Sequence, residues 1–263
     1  MTATVAAVPR DVHPGVDGLP AWTCRFPAEE PGGWGLHDHA EHQLVWTATG
    51  AARVLTGRQS WLLPPSRALL VPGGTAHDVV LVLPAALHCL YVRPAAWPDA
   101  APVPVQVAVS PLLRELLVFL AAAEGVQPLA GEALALVRHE LDGAAVPDDG
   151  LAVPADPRAR AVAARLLADP ADGTPLRSWA RRLRVGESTL RRSFVDETGL
   201  PFTEWRSRAR VRAALPLLER GVPVAAVARR VGYSSATGFA AAFRRRYGMP
   251  PGAWRSAGQP GGA

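Results

Sequence analysis

The 263-residue chain has no lysine, two cysteines and two methionines. Cys24 and Cys89 are far apart in sequence, which argues against a disulfide framework or a cysteine-based metal site and leaves two reduced thiols as the expectation. Long apolar runs are missing too. The most apolar stretch, Val79–Val92, is broken by Pro84 and His88 and cannot span a bilayer as a helix. No basic region followed by an apolar core opens the chain, so no signal peptide is expected, and a cytoplasmic protein with no membrane partner is the default. Histidine is absent after His139, so any histidine chemistry belongs to the first part of the chain.

Without lysine, every long basic side chain is an arginine. Codon bias alone would produce this, although the planar guanidinium also suits phosphate contacts. The charges are unevenly placed. Residues 1–155 hold eight arginines against fifteen carboxylates, net −7, and residues 156–263 hold twenty against eight, net +12. An acidic domain joined to a basic one with a polyanionic partner is the implied arrangement.

Residues 1–20 carry Pro9, Pro14, Gly15, Gly18 and Pro20 and read as a flexible arm. From Trp34 to Pro94, short apolar or alternating runs (Gln43–Thr47, Ala52–Thr56, Gln59–Leu63, Ala68–Val71, Asp78–Leu83) are separated by turn residues at Gly50, Gly57, Pro64–Pro65 and Pro72–Gly74. That spacing predicts a small barrel or sandwich over 21–105. Residues 106–143 then read as a helical connector, with helices over Ser110–Glu124 and about Ala130–Asp142. The stripe Leu113, Leu116, Leu117 and Leu120 is either core or, in part, the face of a homodimer. Pro147, Gly150, Pro154 and Pro157 mark 144–157 as a linker, 158–256 is helical, and 257–263 reads as a disordered tail.

The helical half contains a repeat. Leu176–Phe194 and Val224–Phe243 each place a small residue (Ala180, Ala228) in a first helix, then Ala-Arg-Arg, a turn, and a second helix in which Leu190 aligns with Phe239 and Phe194 with Phe243. This is the pattern of two helix-turn-helices, whose second helices can enter the DNA major groove. The ordered series Phe194, Thr198–Gly199, Phe202, Trp205, Arg208, Ala213, Leu218, Ala228, Gly232–Tyr233, Phe239, Phe243, Gly248 and Arg255 resembles the DNA-binding domain of AraC-type transcription regulators. The resemblance implies a long helix, about Phe202–Glu219, joining the two motifs. It places Ser188, Arg191 and Arg192 of the first recognition helix on DNA, and Thr237, Ala240 and Ala241 of the second, with Ser235 as its cap. Arg244 and Arg245 follow where that helix leaves the groove, suited to phosphates. Arginine can take guanine O6 and N7 or a phosphate, while alanine offers only contact with a thymine methyl. Three departures stand out: Arg184 where the family often has glycine, Gly186 where a capping serine is expected, and Pro216, which should kink the joining helix.

The acidic half resembles the cupin-like sensor domain that precedes many such DNA-binding domains. The matching pieces are His37-x-His39, Gln43–Leu44, Gly50, Trp61–Ala68 and the segment ending at His77. On a strand, His37 and His39 would share a face. With His77 they could hold a first-row metal, with Gln43 where metal-binding cupins commonly carry a glutamate. A small-molecule pocket lined by the same histidines, and a purely structural role, stay open beside it.

The expectation is therefore a multi-domain α+β protein: an N-terminal cupin-like β-barrel and a C-terminal all-α domain with two helix-turn-helix motifs. Its partners would be double-stranded DNA, a small-molecule or metal effector, a second copy of the chain, and RNA polymerase if it activates. An enzyme would share the histidines but turn over a substrate. An architectural DNA binder would show affinity nearly independent of sequence.

Overall fold

The computed structural model describes residues 20–28, 32–122, 130–146 and 149–257. The expected arm and tail lie outside them, apart from Pro20 and Ala257. Contacts divide the chain into two compact units, Met1–Gly57 with Trp61–Asp149, and Arg58–Ser60 with Gly150–Ala263.

The first unit contains β1 (Ala21–Ala28), β2 (His42–Thr56), β3 (Gln59–Leu63, from Trp61 onward), β4 (Arg67–Val71), β5 (His77–Val92) and β6 (Val105–Ala108), followed by α1 (Pro111–Ala122) and α2 (Ala130–Leu141). The strand order is β1-β5-β2-β3, with β4 paired to both β2 and β6. Alternate side chains feed two cores, as period-two geometry requires. Leu44, Trp46, Leu90 and Val92 pack with Leu113, Leu117, Leu120 and Val137 from the helices. Val45, Leu69, Leu87, Cys89 and Tyr91 point into the other core with Val54, Leu63 and Leu81. The leucine stripe of α1 is thus core, because the sheet needs its outer face covered. α1 leaves Leu112, Val118 and Phe119 exposed instead. Ser110 caps α1, its Oγ accepting from Leu113 N at 3.0 Å.

One expected turn, Gly50, is not a turn. β2 and β5 are single strands of 15 and 16 residues. Gly50 lies inside β2 at φ 72°, where the pairing with β5 slips between Thr47 and Ala52. A Cβ on Gly50 would sit 2.0 Å from the Pro84 carbonyl oxygen. This is a bulge, and it accommodates Pro84, which has no N–H for the ladder. Its consequence is curvature. Tyr91 follows His77 by fourteen residues on β5, roughly 46 Å along a straight strand at about 3.3 Å per residue. Yet the His77 and Tyr91 rings both lie against His39, at centroid distances of 5.1 Å and 5.3 Å. The β2–β5 ribbon therefore curls until its ends meet.

The second unit contains β7 (Leu151–Ala152), α3 (Pro157–Ala168), α4 (Leu176–Arg182), α5 (Glu187–Thr198), α6 (Phe202–Glu219), α7 (Val224–Arg230), α8 (Ala236–Tyr247) and α9 (Pro251–Ala257). α3, α4 and α5 enclose Leu166, Ala180, Leu190 and Phe194 with Phe202, Trp205 and Ala209 of α6. α7 and α8 enclose Val227, Ala228, Phe239 and Phe243 with Val211, Ala214, Leu215 and Leu218 of the same helix. One 18-residue helix thus serves both motifs, and it continues through Pro216 to Glu219.

Gly50→Ala should destabilise the β-rich unit by about 1–3 kcal/mol from backbone strain alone, with the clash against Pro84 added. Urea unfolding followed by tryptophan fluorescence measures this. A variant as stable as the parent would show that the bulge is not required.

Candidate functional site

The histidines converge as the curled ribbon dictates. His37 is not on a strand, contrary to expectation. It forms an isolated antiparallel bridge with His77, the two backbones exchanging N–H···O bonds of 2.9 Å and 2.8 Å. The tight turn after β4 secures the next residues: Gly74 N donates to His39 O at 2.8 Å, and a Cβ on Gly73 would lie 2.0 Å from Ala40 O. His37, His39 and His77 come together with potential ligand atoms all within 4.8 Å of one another.

Their hydrogen bonds define the ring states. Nδ1 of His37 meets Gly35 O at 2.8 Å, Nδ1 of His39 meets Glu41 O at 3.0 Å, and Nδ1 of His77 meets Thr75 O at 2.8 Å. A carbonyl can only accept, so each Nδ1 is the donor, which in a neutral ring leaves the lone pair on Nε2. Burial pushes the His77 pKa down to about 4, against the pull of its Thr75 bond. The ring is neutral at physiological pH. His77 is 0% exposed, and its buried Nε2 has no hydrogen-bond partner.

Gln43, 2% exposed, completes the group. Its Oε1 lies 3.3 Å from His39 Nε2, and its amide nitrogen donates to the Tyr91 hydroxyl at 3.1 Å. Tyr91 was missed by sequence reasoning. Strand pairing sets it opposite Gln43. Three converging imidazoles, one with a buried and unsatisfied Nε2, fit a first-row divalent ion such as zinc, nickel or iron. The carbonyl partners on Nδ1 are the outer-shell contacts that orient such ligands.

In the second unit, Ser188, Arg191 and Arg192 of α5 and Thr237, Ala241, Arg244 and Arg245 of α8 are exposed, and Ala240 is half-buried. Arg191 donates to Glu187 Oε1 at 2.6 Å, an i,i+4 pair. Val195 shares this exposed face. It is 41% exposed and continues the face of Ser188, Arg191 and Arg192 by one turn, which the i, i+3, i+7 spacing could have revealed. Arg245 also borders a cavity of about 210 Å³ between α6 and α8, with Arg246, Arg208 and Glu204.

The turns of the two motifs differ. Arg184 adopts φ 55°, and Gly186 caps α5 with no side-chain acceptor. Ser235 does cap α8, its Oγ accepting from Gly238 N at 3.1 Å. No helix among the described residues is long and apolar enough to cross a membrane.

Comparison with known proteins agrees with this division. Residues 33–137 match the AraC-like ligand binding domain, and residues 179–257 match a helix-turn-helix domain. The HTH-type transcriptional regulator NimR of Escherichia coli (strain K12) is 30% identical over 222 residues, which are 82% of this chain and 80% of NimR. The HTH-type transcriptional regulator RipA of Corynebacterium diphtheriae is 39% identical over 104 residues, 40% of this chain and 31% of RipA. ToxT from Vibrio cholerae O395 aligns with TM-score 0.39 and 10% identity, covering 90% of this chain and 96% of ToxT. A β-rich ligand-binding domain followed by a helical helix-turn-helix domain is the architecture of an effector-responsive, DNA-binding transcription regulator. The chain belongs to the AraC family of these regulators.

Ser235→Ala should cost about 0.5–2 kcal/mol by removing a cap. Arg184→Gly should stabilise by roughly 0.5–1 kcal/mol, because glycine adopts positive φ without a Cβ clash. Far-ultraviolet circular dichroism during urea unfolding reports both, and a change of the opposite sign in either variant would contradict the account of these turns.

Proposed function

We propose that this regulator is a cytoplasmic, non-enzymatic sensor of a first-row divalent metal ion, held by His37, His39 and His77. The observation that carries the reading is the convergence of three Nε2 lone pairs whose Nδ1 protons are committed to backbone carbonyls. A bound ion would act as a Lewis acid drawing these side chains together. It can change DNA affinity only by binding one arrangement of the protein more tightly than another.

In this reading α5 carries sequence discrimination through Ser188, Arg191 and Arg192. α8 contributes Thr237, Ala240 and Ala241, and Arg244 and Arg245 hold phosphates. Glu187 keeps Arg191 in one place until a base or phosphate competes for it. The protein works as a homodimer through the exposed Leu112 and Phe119 side of α1, and an activating role would add contact with RNA polymerase.

Metal analysis of purified full-length protein should find close to one ion per chain, lost in His77→Ala. Its DNA affinity should change when a chelator is added. Binding that ignores the chelator would remove the metal as effector. Affinity should fall steeply and linearly in log–log form with salt as counterions are released, and a flat salt profile would remove the DNA-binding assignment. Arg191→Ala and Arg192→Ala should each weaken binding by about 1–3 kcal/mol, relaxing preference at one base pair where the residue reads guanine.

A further inference from the structure

We infer that the cavity between α6 and α8 is a binding site for a small free oxyanion of the phosphate class, and that its occupant competes with DNA for Arg245. The site is independent of the histidine cluster. Only the competition rests on the reading that Arg245 holds a DNA phosphate.

The cavity arises where two helix faces meet without filling the space between them. Glu204, Ser207, Arg208 and Val211 of α6 follow the i, i+3, i+4, i+7 spacing of one face, and Ala242, Arg245 and Arg246 of α8 follow i, i+3, i+4. Val211 and Ala242 are buried and give the cavity an apolar lining. The other long side chains around it are mostly arginines, and like charges repel one another instead of packing to close a gap.

Three arginines line the cavity against one carboxylate. That carboxylate already has a cation, since Arg208 Nε donates to Glu204 Oε1 at 3.1 Å. The lining therefore keeps a positive excess that an anion would balance. Arg208 meets Glu204 through Nε, and a guanidinium carries further donors in a planar fork that matches phosphate and carboxylate oxygens. Ser207 adds a hydroxyl, placed by a 3.0 Å hydrogen bond with the Tyr233 hydroxyl.

Size selects the ligand. The cavity of about 210 Å³ lies below the roughly 300 Å³ at which pockets for drug-sized molecules begin, yet it is several times the roughly 30 Å³ share of one water. A DNA phosphate carries a sugar on each side, which suits it to the exposed Arg245 and not to the half-buried Arg208 and Arg246. A free oxyanion carries no such bulk. Once seated it engages Arg245, and by linkage anion and DNA must each lower the affinity for the other.

The probe is inorganic phosphate, added to the full chain at constant ionic strength with chloride as the balance. Phosphorus NMR follows its binding, and fluorescence anisotropy follows DNA affinity. The parent should bind phosphate saturably and lose DNA affinity as the site fills. Arg246→Gln should weaken phosphate binding about 10-fold or more by removing a charge-assisted donor, and Ala242→Leu should do the same by filling the space. Both should keep the parent's DNA affinity in chloride. Binding that does not saturate, or that is equal in the parent and both variants, overturns the inference. If either variant loses DNA affinity in chloride as Arg245→Ala does, the cavity seats a backbone phosphate and the free-anion site is overturned. Phosphate binding lost in His77→Ala would place the anion on an ion held by the histidines and overturn it too. Saturable binding that is lost in both cavity variants but leaves DNA affinity untouched would support the site and bring down the reading of Arg245 as a backbone contact. If Ala242→Leu fails to fold, Arg246→Gln decides alone.

Discussion

The histidine cluster exists because a long antiparallel ribbon is bent at one point. β2 and β5 pair from His42–Val92 at one end to Thr56–His77 at the other. Without a break the ends would stand far apart. The slip at Gly50 and Pro84 increases local twist and lets the ribbon curl, so that His77 from the start of β5 and Tyr91 from its end reach the same imidazole. The chemistry then follows from accounting for protons. Backbone carbonyls face every Nδ1, and the three imidazoles share one space.

The DNA-binding unit solves a different problem. Each helix-turn-helix has its own small core, and neither is large. α6 links them by contributing Phe202, Trp205 and Ala209 to one and Val211, Leu215 and Leu218 to the other. Sharing a rigid helix is how two modest cores support each other. The two motifs are not equal in their surfaces. α5 exposes arginines, an ion pair and Val195, whereas α8 exposes alanines and then arginines. Donors and acceptors are concentrated on the first helix, and the second offers close approach followed by positive charge.

The signals that were readable in the sequence are those that local geometry imposes. The helix-turn-helix repeat, the helix stripes, the capping role of Ser235 and the positive φ at Arg184 all depend on residues within a few positions of one another, and the structure contains them. The histidines were recognisable as a group because their side chain is rare and confined to one half. One misreading and one open alternative share a cause. Gly50 has the appearance of a turn, because a glycine between two apolar runs looks the same whether the chain reverses or bulges. The α1 leucines suited a core or a partner equally, since periodicity gives a face without saying what covers it.

By itself, then, the sequence determined the class of each element, the tandem motif and its basic surface, and the identity of the imidazoles. Tertiary structure decided the rest. It bent the ribbon, set Gln43 against Tyr91 across the sheet, assigned the tautomers through carbonyls two residues away, and put the leucine stripe inside. The physical reason is range. Side-chain periodicity is a property of a few consecutive residues, but the position of a lone pair depends on where strands distant in sequence come to lie, and that is settled by register and curvature across the whole sheet.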